Sequence, residues 1–368
     1  MDKIVIILNN NPETSGVGRY AYSLYREFSK INYSKIKLEF ISWDKELFNE
    51  FFYMLKIVKL NWLYYLLRFK ILEKSLKTNN ALIHVTNAGY LASLITKFKQ
   101  KSLPVVVTVH DTIPMNMRDS LAHKIAGTAF KNIAFADHVI CVSEHVRRNI
   151  RTILGGKLDQ VTTIHYGVDH SIFRPRKEIK VIRRKLQLPE DKFIILNVGS
   201  EEPRKNIPVL IRAFYKLVRD YRVNAVLVRV GQRSPGVNKI IKLLGLENKV
   251  IYRIASSKEV ALYYNAADLL VHPAYYEDFG MSILEALASG CPVVASNKAA
   301  IPEVIHDSGI LLDPFDIQGF AHEMHRILID EDLRIKLSEK GLKRSLYFNW
   351  QKCAAKTLEV YQNVLSRY

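Results

Sequence analysis

Two glutamates with seven residues between them, Glu277 and Glu285, are the residues of this sequence best suited to chemistry. Glu277 follows a short apolar run that ends at His272, and Glu285 lies in an apolar segment of helical length. A carboxylate accepts at least two hydrogen bonds, so each glutamate could bind the vicinal hydroxyls of a ribose or a hexose. Packing alone explains Glu285 poorly, because an unpaired buried carboxylate is costly.

The segment between these glutamates is suited to binding an anion. Gly280 permits a tight turn, and a helix is predicted to begin near Met281 and to end before Gly290 and Pro292. The first backbone amides of a helix point at an anion placed beside them. The amides expected to contribute are those of Gly280, Met281, Ser282 and Ile283.

Two cations, Arg204 and Lys205, follow another strand-like run that ends at Val198 and continues into Gly199. A helix is predicted to start directly after them. Cations beside a helix N-terminus suit a diphosphate. A solvated surface pair explains the same residues equally well, so both interpretations stay open.

Two motifs of the first half also follow strand-like runs. Gly16 and Gly18 precede a predicted helix, where a backbone without Cβ atoms could approach a phosphate. His110 and Asp111 follow the run Val105–Val109, at the strand end where α/β proteins bind ligands. His110 could donate a hydrogen bond to a hydroxyl, and Asp111 could contact substrate or cap a turn.

Apolar runs that alternate with helix-length segments position these motifs. Several runs are continuously apolar, as in parallel strands buried on both faces, so the sequence predicts an α/β, doubly wound fold. The predicted strands are 3–9, 36–42, 81–86, 104–109, 137–142 and 161–165, followed by 193–199, 224–230, 249–252, 268–272, 292–295 and 309–312.

The alternation restarts once, after Phe173 and a basic stretch, which predicts two similar domains. We expect domains at 1–172 and 173–346, and a C-terminal helical segment at 347–368. Ligands are expected at the carboxyl ends of the strands, in a cleft between the two domains.

The 368 residues carry 54 Lys and Arg against 36 Asp and Glu, a formal net charge of +18 that favours anionic partners. An apolar content of 48% excludes wholesale disorder. Three cysteines without a CxxC pair argue against a disulfide framework or a zinc cluster and fit a reducing compartment.

Taken together, the motifs resemble the retaining, nucleotide-sugar-dependent glycosyltransferases of family four, which have the GT-B fold. The spaced glutamates with Phe279-Gly280 between them carry the most specific part of the resemblance. The resemblance covers the whole chain, and it also includes Cys141-Val142-Ser143-Glu144, Tyr166-Gly167-Val168-Asp169 and Ile301-Pro302-Glu303-Val304-Ile305. It implies two Rossmann-like domains that face each other across a cleft and a C-terminal helix that crosses back to the first domain.

The resemblance also implies roles for the candidate residues. Glu285 would hold the ribose, and Glu277 with the 278–281 backbone would hold the donor sugar. Arg204 and Lys205 would bind the diphosphate and stabilise it as it leaves. The further donor-binding candidates are Gly16, Gly18, Gly199, Arg253, Ile254, Asp278, Phe279, Gly280, Met281, Ser282 and Ile283, while His110 would contact the transferred sugar and Asp111 is the candidate acceptor contact.

By the same resemblance, the expected reaction is hexosyl transfer with retention through an oxocarbenium-like state, assisted by the leaving phosphate and without a bound metal. The expected donor is GDP-mannose, with a UDP-hexose as the alternative, and the acceptor is a glycan or a lipid-linked glycan. Ala299-Ala300 replaces a glycine pair that is common in the family, and Arg253 replaces a common glycine. These two departures leave the choice of nucleotide base open.

Three other interpretations remain. Gly16-x-Gly18-x-x-Ala21 matches the dinucleotide fingerprint of NAD(P)-dependent oxidoreductases, but it begins too many residues after the first strand. This interpretation also gives Glu277 and Glu285 no role. An epimerase or hydrolase of the same fold would share the donor site. Nucleic-acid binding lacks a recognised motif.

Asp330-Glu331-Asp332 spells a metal-binding DxD, but its place between two predicted helices favours a helix cap.

The N-terminal run is predicted to be a strand rather than a signal peptide, so we expect a cytoplasmic protein. Basic, aromatic-rich segments at 47–59 and 60–77 could lie on acidic lipid at the cytoplasmic face of the membrane. A core helix with solvated lysines explains the second segment better, and the first segment leaves both interpretations open.

Overall fold

The computed structural model describes residues 3–9, 16–30, 36–42, 67, 70–71, 81–88, 90–99, 102–112, 131–155 and 160–368. The chain divides into two compact units. The first combines the chain up to Gly167 with Trp350–Tyr368, and the second is Val168–Asn349.

The first unit is built on a parallel sheet. Its strands are β1 (Lys3–Asn9), β2 (Ile36–Ser42), β3 (Ala81–Val85), β4 (Val105–Val109), β5 (His138–Cys141) and β6 (Val161–Thr163). They lie in the order β2-β1-β3-β4-β5-β6. Every residue of β3, β4 and β5 is buried, which explains their continuous apolar sequences.

Helices α1 (Gly16–Phe28), α2 (Tyr90–Phe98) and α3 (Glu144–Leu154) accompany this sheet, with a 3-10 turn at Lys131–Phe135. The ends of α3 follow from its sequence. The Ser143 hydroxyl accepts a hydrogen bond from the Val146 amide at 3.1 Å, and Gly155 ends the helix with φ of 60°.

The second unit contains a second parallel sheet. Its strands are β7 (Phe193–Val198), β8 (Ala225–Val230), β9 (Val250–Arg253), β10 (Leu269–His272), β11 (Val293–Ser296) and β12 (Ile310–Leu312). Their order is β12-β11-β10-β7-β8-β9. The order reverses between β7 and β10, and in such sheets ligands bind outside the carboxyl ends of the strands at that point.

The helices of the second unit are α4 (Ile179–Lys185), α5 (Ile207–Arg219), α6 (Pro235–Leu243), α7 (Ser257–Ala266), α8 (Met281–Ala288), α9 (Ile301–Ile305), α10 (Ile317–Ile329) and α11 (Glu331–Ser345). Helices α5 and α10 place Phe214, Phe320 and Met324 in the core that contains Ile195 and Leu227 of the sheet. The core of this unit therefore lies between the sheet and these two helices.

The last helix, α12 (Trp350–Leu365), belongs to the first unit although it follows the second in the chain. It packs against α1, with the Phe28 and Tyr361 ring centroids 5.8 Å apart. The Trp350 ring lies 6.3 Å from the Tyr20 ring of α1. A C-terminal helix on the first domain is the arrangement that the family resemblance implies.

The α/β, doubly wound prediction is confirmed, and each of the twelve predicted strands is present with its ends within two residues. The unit boundary lies earlier than 172/173. The Val168 amide donates to the Phe348 carbonyl at 3.3 Å, and the Phe173 ring packs edge-on against Tyr264. These contacts place the segment 168–173 in the second unit. All three cysteines are buried and unpaired.

A buried polar network joins α12 to the first sheet. His84 of β3 is fully buried, with Nδ1 2.6 Å from the Tyr361 hydroxyl and Nε2 2.7 Å from the Thr108 hydroxyl. The Tyr20 hydroxyl lies 3.2 Å from the same Thr108 oxygen. Burial, and then the charge of nearby His110, lower the pKa of His84 to about 3. The ring therefore stays neutral.

Tyr361→Phe is expected to lower the free energy of unfolding by about 1–3 kcal/mol, because the buried His84 Nδ1 loses its partner. Urea denaturation measures the change. Tyr368→Phe is the matched control, because its hydroxyl bonds Asp137 at 2.6 Å on a half-exposed side chain. Equal losses in both variants would contradict a special role for the buried network.

Acid should destabilise the first unit through its buried histidines. Burial lowers the pKa of His110 to about 4, and the pKa of His84 is lower still. Below pH about 6.5 the unfolded chain binds protons that the folded histidines cannot, so each costs about 1.4 kcal/mol per pH unit down to its folded pKa. His84→Gln should reduce the slope of unfolding free energy against pH by one histidine's share. An unchanged slope would contradict this assignment.

Candidate active site

The candidate site of the second unit is formed by the loops that follow the neighbouring strands β7 and β10. The first loop carries Arg204 and Lys205 in a 3-10 turn, Pro203–Lys205. The second carries Glu277 and leads into α8. The Tyr275 amide donates to the Arg204 carbonyl at 3.0 Å, which fixes the two loops against each other.

Glu277 is the centre of this site. Its Oε1 accepts hydrogen bonds from Lys205 Nζ and, at 2.9 Å, from His272 Nε2. Its Oε2 lies 3.2 Å from Arg204 Nη1. The sequence expected the glutamate and the two cations to bind separate parts of a ligand, and the structure pairs them directly.

The carboxyl group of Glu277 is ionised despite its burial. Burial would raise its pKa, but the charge of Lys205, the hydrogen bond from His272 and the charge of Arg204 together hold the pKa well below the usual range. Opposite charges and hydrogen bonds to the charged form both favour the carboxylate. The site therefore holds a permanent negative charge between two cations.

Arg204 and Lys205 retain access to a ligand. Their side chains are 14% and 15% exposed. Arg204 Nε also donates to Glu202 at 2.8 Å, and Glu202 is itself half exposed. Burial lowers the pKa of Arg204, but Glu277 and Glu202 raise it further, so the guanidinium remains charged.

Sequence reasoning assigned no role to His272 or Asn206, which support the two loops. His272 ends β10 and is fully buried, and burial outweighs Glu277 in lowering its pKa. Asn206 has φ of 55°, and its Nδ2 donates to the carbonyls of Pro273 at 3.1 Å and Pro314 at 2.7 Å. The sequence signals for these roles were positional: His272 is the last residue of a predicted strand, and Asn206 directly follows the two cations.

The turn before α8 has the geometry that the sequence predicted. Gly280 has φ of 101°, which favours glycine, and a Cβ there would lie 3.3 Å from the Ile283 side chain. Phe279 is buried and packs edge-on against Phe348. Asp278 is buried and accepts a hydrogen bond from the Tyr276 hydroxyl at 3.3 Å. Met281 and Ser282 are half-buried in the first turn of α8.

Glu285 is buried on α8 and accepts a hydrogen bond from the Tyr264 hydroxyl at 3.0 Å. Tyr264 comes from α7 and is itself fully buried. The carboxylate therefore has a protein partner, as the cost of burying it required. Neighbouring candidates for the base differ in exposure: Arg253 is half-buried and donates to the Tyr252 carbonyl at 2.9 Å, whereas Ile254 is 84% exposed.

The Ala299-Ala300 segment contacts the Glu277 loop. Ala299 has φ of 54°, a left-handed conformation that favours glycine, the residue type that the resemblance led us to expect in this segment. The Ala300 amide donates to the Glu277 carbonyl at 3.1 Å. The two alanines that replace the expected glycines therefore still allow this segment to contact the Glu277 loop.

In the first unit, His110 is buried with both ring nitrogens engaged. Nε2 donates to the Thr86 carbonyl, and Nδ1 accepts from the Tyr166 hydroxyl. The Tyr20 ring packs edge-on against the imidazole at 4.9 Å. Contact between a ring nitrogen and a sugar hydroxyl therefore requires one of these bonds to exchange.

The other candidates of the first unit lie on α1 and after β4. Gly16 is the first residue of α1 and exposed, whereas Gly18 is buried one half-turn later. Asp111 is half-buried directly after His110. The sequence expected Gly16 and Gly18 in a loop ahead of the helix, but the structure places both within α1.

Asp330 caps a helix, as its position between helices predicted. Its Oδ1 accepts a hydrogen bond from the Leu333 amide at 2.9 Å. Across the described residues, no cluster of three or more His, Cys, Asp or Glu side chains could hold a metal ion. Within the same ranges, no helix has the length and apolar character to cross a membrane. The segments 47–59 and 60–77 lie outside the described residues, except for 67 and 70–71.

Two family models match the chain. "Glycosyltransferase Family 4" matches residues 14–172, and "Glycosyl transferases group 1" matches residues 178–344. Among characterised relatives, the O-antigen chain mannosyltransferase B of Escherichia coli is 27% identical over 278 residues, which are 70% of each chain. A D-inositol 3-phosphate glycosyltransferase of Streptomyces bingchenggensis is 30% identical over 64% of this chain and 55% of its own. The chain thus spans little more than half the length of that relative.

Solved structures share the fold over the whole chain. The sucrose-phosphate synthase of Thermosynechococcus elongatus has a TM-score of 0.81 and 21% identity, with both chains fully covered. The Anabaena protein HepE, in complex with UDP and glucose, has a TM-score of 0.79 and 17% identity over 98% of this chain and 100% of its own. This likeness shows that the chain has the GT-B fold. The two family models together match residues 14–172 and 178–344, so the protein belongs to glycosyltransferase family 4.

Proposed function

We propose that the protein is a retaining hexosyltransferase that transfers mannose from a nucleotide diphosphate sugar to a glycan or a lipid-linked glycan. The observation that carries this proposal is the pairing of Glu277 with Arg204 and Lys205 at the carboxyl ends of β7 and β10. This is the edge of a doubly wound sheet where a phosphorylated ligand is expected.

The two cations suit the diphosphate of the donor. Their side chains stay partly exposed, and their charges are only partly balanced by the one buried carboxylate between them. When the bond between the anomeric carbon of the sugar and the phosphate oxygen of the donor breaks, negative charge develops on the diphosphate, and preorganised cations stabilise it. The departing phosphate oxygen would then accept the proton of the acceptor hydroxyl, so the proposal needs no protein base and no metal.

The remaining roles follow the family resemblance. Glu277 and the amides of 278–281 would hold the sugar, Glu285 would bind the ribose, and Arg253 with Ile254 would lie near the base. From the first unit, His110 would contact the transferred sugar and Asp111 the acceptor, with Gly16 and Gly18 near the phosphates. Gly199 would admit the diphosphate to the β7 loop.

Mannose is the preferred sugar because a mannosyltransferase is among the similar proteins. GDP-mannose is therefore the first donor to test. A UDP-hexose is the alternative, since HepE shares the fold and was solved with UDP and glucose. A lipid-linked acceptor would place the enzyme at the cytoplasmic face of the membrane, where the net charge of +18 favours acidic lipid.

A thermal-shift panel with GDP, UDP, ADP and NAD should give stabilisation by GDP or UDP. A nucleotide at about 100 times its Kd adds about 2.7 kcal/mol to the free energy of unfolding. Glu285→Ala should weaken that nucleotide by about 1.5–3 kcal/mol, the usual range for hydrogen bonds to a charged group. Glu331→Ala is the control, because this glutamate is exposed on α11. Stabilisation by NAD alone would overturn the proposal, and full affinity in Glu285→Ala would refute the ribose role.

Glu277→Gln should lower turnover of the donor by about tenfold to a hundredfold, the equivalent of about 1.5–3 kcal/mol for hydrogen bonds to a charged group. Binding of the free nucleoside diphosphate should be retained or become tighter, because the two cations lose their competing carboxylate. Release of GDP or UDP measures turnover, and calorimetry measures binding.

Glu202→Gln is the matched control for this prediction. Glu202 also pairs with Arg204, at 2.8 Å, but it is exposed, so its removal should change both quantities less. Loss of nucleotide binding with turnover intact in Glu277→Gln would contradict a sugar-facing carboxylate.

A further inference from the structure

A second charged network lies behind the loop that carries Arg204 and Lys205. Its centre is Arg229 of β8, whose side chain is fully buried. Arg229 Nη1 donates to the Asn197 side chain of β7, and Nη2 donates to the Gly199 carbonyl at 3.2 Å. The arginine thus bonds both the carboxyl end of β7 and the first residue of the loop that follows it.

Glu201 is the carboxylate partner of this arginine. Its side chain is 3% exposed and lies 3.6 Å from Arg229 Nη2. It also accepts hydrogen bonds at 2.7 Å from the Tyr252 hydroxyl of β9 and from the Ser234 amide ahead of α6. One residue of the β7 loop therefore contacts two other strands, β8 and β9, and the segment that follows β8.

Burying these charged groups costs free energy. A buried ion pair is often no more stabilising than apolar residues of the same volume. Burial lowers the pKa of Arg229, against the opposing influence of Glu201 and Tyr252. Arg229 Nε has no hydrogen-bond partner among the described residues, so the network is also incompletely satisfied. Stability alone does not explain it.

The location of the network suggests what it does. Glu201 lies three residues before Arg204, and the Lys205 amide donates to the Glu202 carbonyl at 2.9 Å. Gly231 approaches the same loop so closely that a Cβ on it would overlap the Gly199 carbonyl. The start of the loop is thus fixed by three contacts. Arg229 bonds the Gly199 carbonyl, Tyr252 bonds Glu201, and the Gly231 backbone packs against Gly199.

We infer that Arg229, Glu201 and Tyr252 are positioning residues that fix the loop 199–205 and thereby hold Arg204 and Lys205 in place for the donor diphosphate. This inference rests on the proposed function, because it assumes a nucleotide at that loop. The three residues act through the loop backbone and do not themselves touch the ligand.

The test compares two buried arginines of the same unit. Arg229→Met and Tyr252→Phe break the network, the second by removing one hydroxyl. Arg183→Met is the control, because Arg183 is also buried and paired with a carboxylate, Asp268, at 2.9 Å. Asp268 accepts the amide of Ile194 at the amino end of β7, so this pair lies at the opposite edge of the sheet.

Three quantities are measured for each variant: melting temperature, hydrogen exchange of the amides of 199–205, and calorimetric affinity for GDP and UDP. We expect both arginine variants to lose thermal stability. Only Arg229→Met should show faster exchange in 199–205, with nucleotide affinity about tenfold to a hundredfold weaker, as for a misplaced binding group. Tyr252→Phe should change exchange and affinity in the same direction by a smaller factor.

The failures are distinguishable. A wild-type protein that binds neither GDP nor UDP would overturn the proposed function, and the inference with it. If the wild type binds nucleotide, equal affinity in Arg229→Met and the wild type would overturn the inference alone. Equal weakening in Arg183→Met and Arg229→Met would also overturn it, since the effect would then reflect stability. Should Arg229→Met not fold, an unchanged Tyr252→Phe would decide against the inference.

Discussion

The ionised carboxylate of Glu277 is the interaction on which the candidate site depends. A buried negative charge is tolerated only when cations and hydrogen-bond donors surround it, and here they come from two loops and a strand end. Its backbone carbonyl also receives the Ala300 amide. Lys205 and Arg204 are therefore ordered when the protein folds, so ligand binding does not bear the full entropic cost of ordering them.

The same pairing sets the charge that a ligand meets. Two cations surround one buried carboxylate, and the second acidic partner, Glu202, is largely solvated. Under the proposed function, an incoming diphosphate would meet two cations that are already paired with carboxylates rather than two uncompensated charges. Such a site would discriminate by geometry, because each cation would have to be shared between the carboxylate and the phosphate oxygens.

The sequence was sufficient for the elements and for part of the site. Continuous apolar runs located the strands, because both faces of each sheet are covered. The turn at Gly280 and the loop with Arg204 were found because they interrupt that pattern. The direct pairing of Arg204 with Glu277 could not be predicted from spacing, because it depends on β7 and β10 being neighbours in the sheet. The two strands begin 76 residues apart in the chain, at Phe193 and Leu269, and that separation does not indicate adjacency. Asn206 and Arg229 were missed because their partners are distant in sequence: Asn206 bonds the Pro273 and Pro314 carbonyls, and Arg229 contacts Asn197, Gly199 and Glu201.

The place of α12 has a consequence for how the protein is made. This helix supplies Tyr361 to the buried His84, yet it follows all of the second unit in the chain. During synthesis the second unit can complete its core first, while the first sheet waits for its final helix with apolar surface uncovered. The N-terminal half is thus the part of the nascent chain most dependent on protection from aggregation, although it is the first to leave the ribosome.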